Sequence, residues 1–91
     1  MTHVSKNQAA LVNRVRRIAG QVAAIERSLS EGTDCSRILQ LVAGTRGALS
    51  GLMEELVADH IREHIVRPDV STGARAEAAE ELISIIRRYS K

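Results

Sequence analysis

The sequence predicts an all-α chain of three helices, the first two folded as a long hairpin and the third short. Apolar residues recur at steps of three and four over most of the chain. No stretch alternates with period two. The pattern stops at two places, Glu31-Gly32 and Arg67-Pro68, and is divided there into three. Internal repeats and low-complexity tracts are absent. A chain of 91 residues makes one domain, 1–91, with a modest core.

The first helix carries Leu11, Val15, Ile18, Val22, Ile25 and Leu29, a stripe of nearly five turns. Ser5 is its predicted N-cap, and Glu31-Gly32 marks its stop. The second helix opens at Thr33 or Asp34, either a good N-cap. It continues through Ile38, Val42, Thr45, Leu49, Leu52 and Leu56 to about Val66, where Arg67-Pro68 ends it. Pro68 to Gly73 reads as a loop. The third helix fits Ala74 to Tyr89, with Leu82, Ile85, Ile86 and Tyr89 as its apolar side.

The second helix is apolar on more than one face, through Ile38, Leu39, Leu41, Val42, Met53 and Val57. A hairpin shields one of those faces. The other calls for a second chain, giving an antiparallel four-helix-bundle dimer rather than a monomeric three-helix bundle. Gly44, Gly47 and Gly51 lie in the middle of this helix beside Ala43 and Ala48. Each mid-helix glycine costs about 0.8–1 kcal/mol against alanine, so the three point to close backbone approach or to a kink. Under the first reading, two copies cross antiparallel near residue 47 or 48.

Composition excludes several classes. The single cysteine, Cys35, rules out an intrachain disulfide framework and suits a reducing compartment. No apolar run approaches a membrane span and no signal-peptide pattern opens the chain, so a cytoplasmic protein is expected. Tyr89 is the only aromatic residue, which argues against the stacking platforms of single-strand and RNA binders. Hydrophobic residues at 44% and charged residues at 26% describe a globular chain, not a disordered one.

Net charge is only +2, so the placement of charge matters more than its sum. Arg14, Arg16 and Arg17 cluster early in the first helix, with Arg14, Arg17 and Gln21 on one face. No acidic residue follows Met1 until Glu26. A solvated helix face usually intersperses glutamates; this one suits an anion, and duplex DNA is the obvious polyanion. Arg46 on the second helix extends the surface.

Cys35, His60, His64 and His3 are the chain's soft or borderline metal ligands. His60 and His64 are spaced i, i+4 and project from one helix face. Cys35 precedes His60 by 25 positions on the same helix, which at 1.5 Å per residue is roughly 37 Å. An antiparallel partner crossing near residue 48 brings residue 35 of one chain opposite residue 61 of the other. Hairpin arithmetic puts His3 level with residue 61 of its own chain. The four ligands therefore converge only across the dimer, in two sites.

The stretch RVRRIAGQVAAIERSL, then Cys35, then ILQLVAGTRGALSGLMEELVADHIREH resembles the CsoR/RcnR/FrmR family of small all-helical bacterial repressors over nearly the whole chain. The resemblance implies a three-helix subunit assembled as a dimer of dimers. It also implies operator binding in the ligand-free state and release on sensing copper, nickel or cobalt, formaldehyde, or reactive sulfur. The sensing positions read His3, Cys35, His60 and His64, the quartet of the nickel- and cobalt-sensing branch. The copper-sensing branch has a second cysteine where this chain has His64, and the persulfide-sensing branch needs a second cysteine too. Three nitrogens and one thiolate suit Ni(II) or Co(II), and admit Zn(II), better than Cu(I). The segments RVRRI, ERSL and HIRE look more like the formaldehyde-sensing branch, which bridges the N-terminal amine, often on proline, to the cysteine. In this alternative Thr2 and Cys35 carry sensing, and Thr2 departs from proline. An enzyme is not expected: only Glu63 offers a nearby general base, and no catalytic residue is assigned.

Overall fold

The computed structural model describes residues 7–89, which contain three α-helices and no strand. They are α1, Gln8–Ser30; α2, Cys35–His64; and α3, Thr72–Tyr89. The chain forms two compact units, one holding α1 and α2 as far as Glu54, the other running from Glu55 through α3.

In the first unit the turn between the helices follows from one glycine. Gly32 has φ +68°, the left-handed conformation that costs an L side chain. Its N–H donates to Leu29 O (3.3 Å), and Thr33 N–H donates to Ser28 O (2.9 Å). Those two bonds make a Schellman motif and satisfy carbonyls that the helix end would orphan. Glu31-Gly32 is thus the stop expected from the sequence. Asp34 stands immediately before α2; its carbonyl accepts from Arg37 and Ile38, and its carboxylate accepts from the Ser36 hydroxyl at 2.9 Å. The expected cap Ser5 lies outside the described residues. Asn7 precedes α1 and makes no side-chain capping bond.

The apolar stripe of α1 splits into two lines. Leu11 and Ile18 are buried at 7% and 8% exposure, and Ile25 is half-buried. Val15, Val22 and Leu29 stay 49%, 51% and 61% exposed. Positions i and i+4 are rotated by about 40° on a helix of 3.6 residues per turn, and one neighbouring helix covers only one of the two lines. The second helix divides in the same way. Ile38, Leu41, Thr45, Ala48 and Leu52 are sheltered, whereas Leu39, Val42, Leu49, Met53 and Leu56 are exposed. Val42, Leu49 and Leu56 therefore do not share the sheltered face that the sequence pattern gave them. Thr45 is buried and donates its hydroxyl to Leu41 O at 2.9 Å, satisfying the only polar atom that its side chain brings inside.

In the second unit, α2 ends at His64, two residues before the expected stop, and Ile65 and Val66 N–H both close on Ile61 O at 3.0 Å. Pro68 disfavours helical backbone at Arg67, so the helix stops upstream, closed by the i→i−5 bond from Val66. The Arg67 guanidinium then bridges Glu63 (3.1 Å) and Asp69 (2.9 Å). Arg75 donates to the carbonyls of Arg67 and Val70 at 3.0 and 3.1 Å, holding the loop from the α3 side. The third helix begins at Thr72 rather than Ala74, because Ser71 Oγ accepts the Ala74 N–H at 3.1 Å and caps it. Gly73 is accordingly helical. No residue of α3 is buried. Of the expected apolar side, Leu82 is half-buried, while Ile85, Ile86 and Tyr89 are exposed. No helix among the described residues is long and apolar enough to cross a membrane.

Candidate functional site

His60 and His64 occupy the last two turns of α2 and project from one face. Their ring centroids are 5.0 Å apart, with the planes at 48°. His60 Nε2 lies 3.3 Å from the carbonyl of Ala78 on α3. In the tautomer protonated on Nε2 that nitrogen donates to Ala78 O and Nδ1 keeps its lone pair. Both imidazoles wall a shallow groove whose opposite side is Glu77, Ala78 and Glu81 of α3. Next to His60 in the chain, Asp59 is buried, its carboxylate 3.5 Å from Arg62.

Cys35 is the first residue of α2 and exposed. Among the described residues no group of three or more His, Cys, Asp and Glu is placed to hold a metal ion. Among the described residues His60 and His64 stand side by side, and Cys35 belongs to no group that would hold a metal ion. His3 and Thr2, the other expected sensing residues, lie outside the described residues.

The part of α3 in this site escaped the sequence reading. Applied to the loop at Asp69, the hairpin arithmetic that levels His3 with residue 61 pairs residue 60 with residue 78. Glu77 and Glu81, themselves i, i+4, then face the two histidines.

A second feature lies on the first unit. Arg14, Arg17 and Gln21 of α1 line a groove together with Ile18, Gly20 and Ala48. Arg16, Arg17 and Arg46 are exposed, and Arg14 is half-buried. The ion pairs among the described residues use Arg62 and Arg67 and none of these four. Arginine forks without a carboxylate partner are suited to phosphate and to base-edge acceptors. Arg14 also reaches α2: a Cβ built on Gly51 would stand 2.5 Å from its Nη2 and 3.8 Å from its Cζ. By contrast, nothing lies within 4 Å of where a Cβ would stand on Gly44 or Gly47.

Known proteins agree with this arrangement of helices. The family model described as metal-sensitive transcriptional repressor matches residues 7–88. An uncharacterised protein from the bioA 5′ region of Serratia marcescens is 42% identical over 91 residues, the full length of both chains. The transcriptional repressor RcnR of Salmonella paratyphi B is 34% identical, also over the full length of both. A solved structure of a glutamate-to-histidine variant of the formaldehyde-responsive regulator FrmR, from Salmonella enterica serovar Typhimurium, superposes with a TM-score of 0.88. It is 40% identical, and the match covers 97% of this chain and 99% of that one. The chain belongs to the metal-sensitive transcriptional repressors, the CsoR/RcnR/FrmR family.

Proposed function

We propose that the chain is a repressor that holds operator DNA when unliganded and releases it when Ni(II) or Co(II) binds at a site shared between two subunits. The observation that carries this is the His60–His64 pair, two borderline nitrogen donors on one helix face with centroids 5.0 Å apart. The residues fit such an ion: His60 and His64 chelate, and His3 and Cys35 complete three nitrogens and a thiolate. Zn(II) is admitted by the same donors. Because His60 and Cys35 are far apart on α2, the thiolate comes from a second copy crossing antiparallel near Gly47. The outward line Leu39, Val42, Leu49 and Met53, with Val15, Val22 and Leu29 of α1, is the apolar surface that such a copy would cover. Gly44 and Gly47, open in the single chain, allow its backbone to come close.

Arg14, Arg16, Arg17 and Arg46 supply affinity for duplex DNA, through phosphate contacts above all. The ion, when bound, supplies the differential affinity that favours the DNA-incompetent arrangement; an ion holding both arrangements equally regulates nothing. The test is release of a fluorescent operator duplex measured side by side with nickel, cobalt, zinc and formaldehyde. Release by nickel or cobalt is the expected result.

A second reading has support of its own. Cys35 is exposed, and the structural neighbour at 40% identity is a formaldehyde-responsive regulator. A one-carbon bridge between the N-terminal amine on Thr2 and the Cys35 thiolate needs neither His60 nor His64. Release by formaldehyde alone puts this reading in place of the first.

A further inference from the structure

We infer that Gly51 is a positioning residue for operator binding: its missing side chain is the socket in which the Arg14 guanidinium rests. The inference builds on the proposal that Arg14 belongs to the DNA surface. Three mid-helix glycines in α2 look alike in sequence, yet the structure separates them. Around Gly44 and Gly47 the space of a Cβ is open. At Gly51 that space is taken, and by one group only: Nη2 of Arg14 at 2.5 Å and Cζ at 3.8 Å from the Cβ position. No backbone atom from elsewhere and no other side chain comes within 4 Å.

The consequence is chemical. Any side chain at position 51 evicts the guanidinium, and nothing else has to move. Arg14 is half-buried although α1 itself could let it swing freely in water. Its stem is thus laid across to α2, and its charged end is kept at the rim of the groove that Arg17 and Gln21 also line. A long side chain held in one place before binding loses less conformational freedom when it meets phosphate. Gly51 thereby presents Arg14 to a ligand in a fixed position relative to Arg17, one helical turn away.

Glycine is a poor helix residue, and alanine at the same half-buried position is favoured by intrinsic propensity. The substitution Gly51→Ala therefore separates folding from function. Its thermal midpoint should equal or exceed that of the unsubstituted chain, and its oligomeric state by sedimentation should not change.

The experiment is a double-mutant cycle on full-length protein, with a duplex selected by the unsubstituted protein from a random pool. Gly51→Ala is expected to weaken binding about three- to tenfold, and Arg14→Ala at least as much. In the Arg14→Ala background, Gly51→Ala should change affinity by less than about twofold, because the group it displaces is gone. Full additivity of the two losses overturns the inference, since Gly51 would then act without Arg14. So does unchanged or tighter binding by Gly51→Ala while Arg14→Ala is weakened, which leaves Arg14's place on the DNA surface intact. If Arg14→Ala itself binds normally, the DNA surface has been put in the wrong place and the inference falls with it.

Discussion

In the proposed function, single residues divide two tasks, DNA binding and sensing, between the two units. Arg17 is exposed and has no carboxylate partner among the described residues, so its fork is available to phosphate. Arg17→Ala should weaken operator binding and reduce the slope of log K against log salt by about one, since one fewer counterion is released. Metal affinity, read by competition with a chelator, should be nearly unchanged. His64 makes the complementary case. Without its imidazole the pair on α2 falls to one nitrogen, and nickel-driven release should be lost far more than DNA affinity. A response to formaldehyde should survive in His64→Ala and vanish in Cys35→Ala. Anisotropy titrations of the two variants with both inducers check this. That His60 and His64 share one face, and Arg14, Arg17 and Gln21 another, was readable in the sequence, because helical spacing is a local pattern. The approach of Arg14 to Gly51 was not, since it depends on how far a side chain far away in sequence can reach across a hairpin.

At the level of elements, the stops and starts divide by how much each depends on backbone alone. Gly32 marked the end of α1 in the sequence and does so in the structure, because φ +68° is a demand that glycine meets best. Gly32→Ala should cost about 1–2 kcal/mol in chemical denaturation, the penalty of a left-handed L residue. Ser71 was passed over: Ser-Thr-Gly reads as loop, and only the bond from Ala74 N–H to its hydroxyl reveals a cap. Ser71→Ala should cost about 1 kcal/mol and shorten α3 from its N-terminus, seen as lost helical ellipticity and faster amide exchange at Ala74. Periodicity also could not divide the α1 stripe. Leu11 and Val15 are equally apolar and one turn apart, and which of them is buried is decided by where the single neighbouring helix lies.

For the molecule as a whole, the core is too thin to account for all of the apolar residues. Leu11 and Ile18 are the only buried hydrophobic residues among those described, and no large side chain is fully enclosed. Leu39, Val42, Leu49 and Met53 stand exposed along α2, and the proposed dimer would cover them. Leu49→Asp should shift the sedimentation profile toward monomer and abolish metal binding together, because the proposed site needs two chains. The fold class was legible in periods of three and four, but the proposed site, being divided between copies, would leave only half of itself in any one chain. That division is the central claim, and one measurement addresses it directly. Cys35→Ala and His60→Ala chains are mixed, the heterodimers are isolated with two affinity tags, and nickel bound per dimer is counted. Each parent alone should bind almost no nickel, and the mixed dimer should hold one ion, since one of its two sites keeps both residues. A mixed dimer as empty as its parents would contradict the shared site and the crossing near Gly47.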